Sequence, residues 1–99
     1  MITSILITLH NKERYISYAL NSILASNTKN IELIISDDCS QDNSYSIAKS
    51  WIDNHKELFF SALILKQPKN LGINDNINFL ITKATGEFIT FLDADDALF

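Results

Sequence analysis

Four short apolar segments, each followed by polar residues, constrain the fold of this chain more than any other feature. They are rich in β-branched residues and too short for buried helices, which predicts strands over residues 2–9, 31–36, 61–67 and 87–92. The stretches between them carry apolar residues three and four positions apart, the period of an amphipathic helix. This alternation predicts an α/β fold: an open, mostly parallel sheet of about four strands, with right-handed crossovers and helices on both faces.

The three intervening segments are expected to form helices over about residues 12–26, 43–54 and 73–83. Asn11 has the side chain and position of an N-cap for the first helix, and Ser40 or Asp42 for the second. Gly86 follows the third helix and is predicted to take the positive φ that is cheap only for glycine.

Composition limits the chain to a single domain, residues 1–99, although 46% of its residues are hydrophobic and can build a core. The net charge of −4, without any run of Lys or Arg, argues against a nucleic-acid partner. Cys39 is the single cysteine, so no disulfide framework is expected. No apolar run approaches the roughly 20 residues of a membrane span. The expected location is cytoplasmic, with membrane association possible only through a longer parent protein.

Three carboxylates lie within four positions directly after the last predicted strand, at Asp93, Asp95 and Asp96. One Asp would suffice for a helix cap, whereas three neighbouring carboxylates repel one another and favour a hard cation such as Mg2+ or Mn2+. A nucleotide diphosphate is the natural second half of such a site, because the metal neutralises the leaving group. Polar residues also follow the first and second strands, and in a parallel sheet all three positions share one edge.

The polar residues after the first two strands each admit two interpretations. Asp37 and Asp38 form either a solvated turn, with side chains bonded to the local backbone, or a contact to a nucleotide base or ribose. His10 and Asn11 are either surface and capping residues or ligand-binding residues. An EF-hand over residues 37–49 is excluded, since the glycine and the final glutamate of that loop are missing.

Taken together, four stretches resemble the front half of a family 2 glycosyltransferase with the GT-A nucleotide-sugar-binding fold. They are residues 4–13 with a "TYN-E"-like turn, 32–43 with an "E-I-I-DDGS-DN"-like pattern, 70–72 reading NLG, and 84–96 reading ATGEFITFLDADD around the D-x-D motif. The likeness runs through the whole chain in order. His10 stands where tyrosine is common in the family, and Cys39 stands where glycine is common.

This resemblance implies that the fourth strand lies beside the first and that a sugar donor binds at their shared edge. It assigns the nucleotide base to Thr8, His10 and Asp38. In the third helix, Asn74 and Asn76 are expected to face the donor.

The D-x-D motif is implied to bind the other end of the donor. Asp93 is expected near the ribose, and Asp95, assisted by Asp96, is expected to hold Mg2+ or Mn2+ at the diphosphate. A UDP-sugar is the commonest donor of such enzymes, and the acceptor is a glycan or a lipid-linked glycan. Members typically invert the sugar configuration, with a base that deprotonates the acceptor hydroxyl.

The family's base and acceptor site lie beyond the D-x-D motif, so no catalytic base is expected before Phe99. The chain is therefore interpreted as the donor-binding part of a longer enzyme, inactive by itself. An unpaired fourth strand would leave a sheet edge exposed, which predicts self-association into a homo-oligomer.

Two other classes of protein compete with this interpretation. A non-catalytic module that binds a nucleotide or a metal remains compatible with the sequence. A phosphoacceptor receiver domain fits less well, because it needs an acidic pair after the first strand and one Asp after the third. Here those positions hold His10-Asn11 and Gln67-Pro68.

Overall fold

A computed structural model describes residues 1–95 of the chain as one parallel four-stranded sheet with three α-helices. The elements, in order, are β1 Thr3–Leu9, α1 Ile16–Ile23, β2 Ile31–Asp37, α2 Ser44–His55, β3 Ser61–Lys66, α3 Ile73–Lys83 and β4 Phe88–Asp93. Short 3-10 turns, Thr28–Asn30 and Lys56–Leu58, precede β2 and β3. The predicted α/β class and all four predicted strands are confirmed.

The strand order is β3-β2-β1-β4, so β4 lies beside β1 as the resemblance implied. The register pairs Thr8 of β1 with Ser36 on one side and with Asp93 on the other. The ends of β1, β2 and β4 therefore meet at one edge of the sheet, which we call the carboxyl edge. The opposite side, where the strands begin, is the amino edge.

The two faces of the sheet are covered by different helices. Ile5 and Ile7 of β1 pack with residues of α1 and α2 in the larger core cluster. Leu6, which points to the other face, forms a smaller cluster with Ile34 and with Leu80 of α3. All seven residues of β2 are buried, as expected for a strand covered on both faces. Burial of one such Leu or Ile side chain contributes about 1.5–3 kcal/mol.

The helix crossovers change face between β1 and β4. Helices α1 and α2 pack in the cluster on one face, whereas α3 returns from β3 across the other face and contacts β1 and β2. The crossover after β1 runs through α1 on one face, and the crossover that leads into β4 runs through α3 on the other. Where crossovers of neighbouring strands lie on opposite faces, a crevice opens at the carboxyl ends of those strands. This topology places a crevice beside Thr8 and Asp93.

Helix α1 begins at Ile16 rather than at residue 12, and the predicted Asn11 cap is wrong. Asn11 has a φ of 51°, the left-handed region, and its Oδ1 accepts a hydrogen bond of 2.8 Å from the backbone N–H of Gln41. The side chain thus bonds to the loop after β2 instead of capping its own helix. The segment from Lys12 to Tyr15 forms a turn instead of the first helical turn.

The positive φ predicted at Gly86 is wrong; among residues 1–95 the glycine with positive φ is Gly72, at 85°. Gly86 is required for a different reason, which is close approach. A Cβ there would lie 2.5 Å from Ser4 Oγ and 2.8 Å from the Ser4 nitrogen. Helix α3 ends without help from Gly86, at Lys83 with Ala84 as its C-cap.

A closed polar network binds the start of β4 to β1 and β2 at the amino edge. Glu32, 8% exposed, accepts hydrogen bonds from Ser4 Oγ at 2.6 Å, from Thr85 N at 2.8 Å and from Thr85 Oγ1 at 2.7 Å. Gly86 N–H donates to Ser4 Oγ at 2.9 Å. Burial opposes ionisation of Glu32, but these hydrogen bonds outweigh it and hold the pKa of the carboxyl below its ordinary value.

Trp51 of α2 lies in the larger core cluster, with 7% of its surface exposed. Its Nε1 donates to Asn21 Oδ1 at 2.8 Å, and His55 stacks on the indole with ring centroids 4.1 Å apart. The hydrogen bond between Trp51 and Asn21 joins α2 to α1. Across residues 1–95, no helix has the length and apolar character required to span a membrane.

Candidate functional site

A pocket of about 450 Å³ opens at the carboxyl edge, where the topology predicts a crevice. Its walls come from the ends of β1, β2 and β4 and from the segment that leads into α3. The residues that line it are Thr8, Leu9, His10, Lys12, Asp38, Asn70, Gly72, Ile73, Asn76, Asp93, Ala94 and Asp95. Most of the residues that the sequence singled out are therefore brought together at one place.

The sequence-based list differs from the pocket lining in three respects. Asn74 is exposed and does not line the pocket. Asp96, expected to assist at the metal, lies outside the described residues. Lys12 lines the pocket but was not singled out, since a lone lysine in a polar loop carries no motif signal.

Asp38 is the most buried carboxylate of the pocket lining, with 5% of its surface exposed. Its Oδ1 accepts a hydrogen bond from Leu71 N at 2.6 Å and its Oδ2 accepts one from Gly72 N at 3.0 Å. Its own N–H donates to the carbonyl oxygen of Leu9 at 2.7 Å. These contacts join the loop before α3 to the ends of β1 and β2. Each carboxylate oxygen keeps acceptor capacity for a ligand, because an ionised carboxylate offers about four lone-pair positions.

Asp37 bonds to its local turn, as one of the two interpretations of the acidic pair predicted, but its side chain is buried and not solvated. It is fully buried, and its carboxylate accepts hydrogen bonds from Ser40 N at 3.1 Å and from Ser40 Oγ at 2.5 Å. This is the side-chain-to-backbone turn pattern of Asp residues. The turn carries Cys39 at a φ of 58°, so the left-handed conformation is kept although glycine is absent.

The ring of His10 is fixed by a chain of hydrogen bonds that also assigns its proton. Gln41 N–H donates to Asn11 Oδ1, so the Nδ2 of Asn11 is the donor in its 3.3 Å contact with His10 Nε2. The other ring nitrogen, Nδ1, must then donate to the carbonyl oxygen of Asp38, 2.7 Å away. His10 thus presents an oriented planar ring in the Nδ1–H form at the pocket wall.

The turn before α1 and the turn before α2 bind each other through polar side chains. Ser44, fully buried, accepts a 2.7 Å hydrogen bond from Lys12 N, and Asp42 accepts bonds from Ser44 N at 2.9 Å and from Glu13 N at 3.3 Å. Burial opposes ionisation of Asp42, but the bonds from Ser44 and Glu13 lower its pKa. The result is a rigid wall behind His10 and Lys12.

Asn76 of α3 lines the pocket and is also bonded into the core. Its Oδ1 accepts from Ser36 Oγ at 2.5 Å, its Nδ2 donates to the Ser36 carbonyl at 3.1 Å, and Gln67 Nε2 donates to Ser36 Oγ at 3.0 Å. All three side chains are buried. This network joins the first turns of α3 to the end of β2 beside the pocket.

The acidic end of the pocket is formed by Asp93 and Asp95, both exposed. Asp95 Oδ2 lies 3.5 Å from Lys12 Nζ, with the two side chains 44% and 40% exposed. Within residues 1–95 no three His, Cys, Asp or Glu side chains are grouped to hold a metal ion. Two carboxylates still suit Mg2+ or Mn2+, which complete their coordination with phosphate oxygens and water. The exposed oxygens of Asp93 and Asp95 at one end of the pocket therefore fit a divalent metal.

Comparison with known proteins identifies the family. Residues 4–99 match the family model described as Glycosyl transferase family 2. An uncharacterized glycosyltransferase of Haemophilus influenzae is 40% identical over 95 residues, which cover 94% of this chain and 36% of that protein. This chain spans about a third or less of the length of the curated relatives it matches, 28–36% for three of them and 13% for another.

Two solved structures extend the comparison to the fold. TarS 1-349 of S. aureus in complex with UDP-GlcNAc superposes with a TM-score of 0.80 and 27% identity, covering 98% of this chain and 27% of that one. The mannosyltransferase PcManGT from Pyrobaculum calidifontis, in complex with GDP-Man and Mn2+, gives a TM-score of 0.87 over 96% of this chain and 28% of its own. At 22% identity this second likeness shows the fold alone. The family match over residues 4–99, the Haemophilus relative and the shared sheet lead to one conclusion: the chain belongs to glycosyl transferase family 2.

Proposed function

We propose that residues 1–99 form the donor-binding domain of a metal-dependent, inverting glycosyltransferase that uses a UDP-sugar. One observation carries the proposal. The pocket at the carboxyl edge is lined by Asp38 and His10, which follow β2 and β1, and by Asp93 and Asp95 at the end of β4. Such a crevice is where open α/β sheets bind nucleotides. The structure of the TarS relative with UDP-GlcNAc supports a UDP-sugar as the donor.

The base-binding end of the proposed site consists of Thr8, His10 and Asp38. The fixed ring of His10 offers a flat surface on which a pyrimidine can stack, as a tyrosine would. Asp38 is already ordered by Leu71 and Gly72, so little conformational entropy is lost when it accepts a hydrogen bond from the base.

At the opposite end, Asp93 is proposed to contact the ribose and Asp95 to hold the metal with the diphosphate. The strand register pairs Asp93 with Thr8, which supports a ribose contact at Asp93 next to the proposed base-binding end. A bound Mg2+ or Mn2+ would supply charge neutralisation of the departing diphosphate. This chain's own residues bind the donor and orient its sugar toward an acceptor.

In the proposed transfer, an oxygen of the acceptor hydroxyl forms a bond to the anomeric carbon of the sugar. The bond from that carbon to the diphosphate breaks with its electron pair left on the phosphate oxygen, and the hydroxyl proton passes to a base. In line with the family, we place that base and the acceptor site outside these 99 residues. The isolated chain is therefore expected to bind donor without transferring sugar to glycan or lipid-linked acceptors.

Calorimetry with UDP and GDP, each with and without MnCl2, tests the donor-binding proposal. UDP is expected to bind more tightly with Mn2+, and the gain should disappear in Asp95→Asn. Asp53→Asn is the matched control, because Asp53 is an exposed carboxylate paired with Lys49 on α2, outside the pocket lining. Failure of both nucleotides to bind at millimolar concentration would overturn the proposal.

We also propose that β4 mediates contacts beyond this domain. Among the described strands it is an outer one, and Phe88, Ile89 and Phe91 are 53%, 44% and 51% exposed. An apolar strand edge is a template for pairing with another strand, including that of a second copy. Light scattering over a concentration series is expected to show self-association, and a monomer at the highest concentration would contradict it.

A further inference from the structure

We infer that Lys12 binds the diphosphate of the donor, exchanging the carboxylate of Asp95 for phosphate oxygens. The inference rests on the proposed function and adds a binding residue that no motif of the chain indicates. The lining of the pocket carries three carboxylates, Asp38, Asp93 and Asp95. Among the described residues, Lys12 is its single Lys or Arg. A nucleotide-sugar diphosphate is itself an anion, so the site needs positive charge at the place where the phosphates lie.

The position of the Lys12 backbone is fixed by its surroundings. Its N–H donates to Ser44 Oγ at 2.7 Å, and its carbonyl oxygen accepts from Tyr15 N and Ile16 N, both at 3.0 Å. Since Ser44 is fully buried, this attachment joins Lys12 to the packed start of α2. Reorientation of Lys12 therefore requires only rotations within its flexible four-carbon side chain.

The side chain of Lys12 already reaches the acidic end of the pocket. Its Nζ lies 3.5 Å from Asp95 Oδ2, on the side where the diphosphate is proposed. Because both side chains are about 40% exposed, the pair is weak and easily exchanged. Phosphate oxygens carry more charge than one carboxylate and can accept several of the three ammonium hydrogens, so the donor is a better partner for Lys12.

The exchange has a second consequence for Asp95. While Lys12 is paired with Asp95, the charge of the Asp95 carboxylate is partly neutralised, and the carboxylate is less available to a divalent cation. When the diphosphate attracts the ammonium, the Asp95 carboxylate would be released and would become available to a divalent cation. Nucleotide and metal are thus expected to promote each other's binding partly through Lys12.

Calorimetry of the full chain with UDP, UMP and uridine tests this inference. Lys12→Met keeps the length of the side chain and removes its charge, and Lys12→Arg restores the charge. Lys49→Met is the matched control, because it also removes one lysine of an exposed ion pair, on α2 and outside the pocket lining. Each titration is run in EDTA and in MnCl2, and thermal unfolding verifies that every variant is folded.

Loss of one charge-assisted hydrogen bond is expected to weaken UDP binding about tenfold in Lys12→Met. The affinity for uridine should be unchanged, UMP should show an intermediate loss, and Lys12→Arg should recover most of the UDP affinity. Lys49→Met should match the unsubstituted chain. The dependence of UDP affinity on salt should also be shallower in Lys12→Met.

Two results would overturn the inference while leaving the proposed function intact. One is equal UDP affinity in Lys12→Met and Lys49→Met. The other is a loss of uridine affinity as large as the loss for UDP, which indicates damage to the pocket wall and not a missing phosphate contact. If the unsubstituted chain binds neither UDP nor GDP, even with Mn2+, the proposed function and this inference both fall.

Discussion

The two edges of the sheet use acidic side chains in opposite ways. At the amino edge, Glu32 is 8% exposed and accepts three hydrogen bonds, two of them from the backbone N–H and the hydroxyl of Thr85. At the carboxyl edge, Asp93 and Asp95 are exposed around a pocket of about 450 Å³. A carboxylate with protein donors on both oxygens stabilises the fold, whereas one that faces open space is available to a ligand. The burial and hydrogen-bond partners of a carboxylate, more than its residue type, therefore indicate its role.

Gly86→Ala is expected to give the largest effect and affects the amino edge. Its Cβ would lie 2.8 Å from the Ser4 nitrogen and 2.9 Å from the Ile2 carbonyl oxygen, both backbone atoms that cannot turn away. We expect the free energy of unfolding to fall by about 3 kcal/mol in urea titrations. Nucleotide affinity of the folded fraction should be unchanged, and a selective loss of UDP binding would break the contrast between the edges.

Gly72→Ala is the companion variant at the carboxyl edge. Nothing lies within 4 Å of a Cβ at Gly72, but its φ is 85°. The expected loss of stability comes from conformational strain alone, about 1–3 kcal/mol, because a φ of 85° with a ψ of 162° is a backbone conformation essentially restricted to glycine. UDP affinity should fall as well, since Gly72 N–H holds the carboxylate of Asp38.

Asp38→Ala is expected to affect both stability and ligand binding, because Asp38 combines the roles seen at the two edges. It lines the pocket, yet its two oxygens hold the Leu71 and Gly72 backbone. Loss of these charge-assisted bonds should reduce stability by about 2 kcal/mol and abolish measurable UDP binding. Hydrogen exchange should become faster at the amides of Leu71 and Gly72. Unchanged exchange at both amides would show that the loop before α3 does not depend on Asp38.

The pH dependence of the free energy of unfolding tests whether Glu32 is ionised in the folded chain. Its pKa is lowered in the folded chain, so its contribution is full above the unfolded-state pKa of about 4.3 and is lost as the pH falls through the lower folded-state pKa. In Glu32→Gln this contribution is missing at every pH. We expect the chain to be about 1 kcal/mol more stable than the variant at pH 7, with the difference shrinking below pH 4. A difference independent of pH would contradict an ionised Glu32.

Cys39→Gly should change the free energy of unfolding least among these variants, and it should raise that free energy instead of lowering it. Cys39 has a φ of 58°, which is strained for any residue with a Cβ. Relief of that strain exceeds the added entropy of the unfolded chain, so a gain of about 0.5–1 kcal/mol is expected. Cys39→Ala is the control and should give no gain. Equal stability of both variants would mean that the turn before α2 tolerates a side chain without strain.

The sheet and the position of the pocket were predictable from the sequence because they depend on local patterns. Runs such as residues 31–36 are apolar, short and β-branched, and the parallel order places the polar residues after them at one edge. The position of β4 beside β1 came from the family resemblance. That resemblance also named Thr8, His10 and Asp38, which the structure brings to the same pocket.

What escaped prediction depends on partners that are distant in the sequence. Asn11 is a good N-cap by local rules, but a backbone N–H 30 positions away, on Gln41, takes its side chain. Gly86 is explained by Ser4, 82 positions earlier. Lys12 becomes part of the site only because Asp95 is folded next to it. No local periodicity or motif records such pairs.

The stacked pair of Trp51 and His55 gives the chain an internal optical reporter. Trp51 is the single tryptophan of the sequence, and it lies among core residues of α2, away from the lining of the donor pocket. Its emission should therefore change when the core opens and should stay constant if a nucleotide binds in the pocket, as proposed. Unfolding of this domain can therefore be followed by Trp51 emission at any nucleotide concentration, without a contribution from binding.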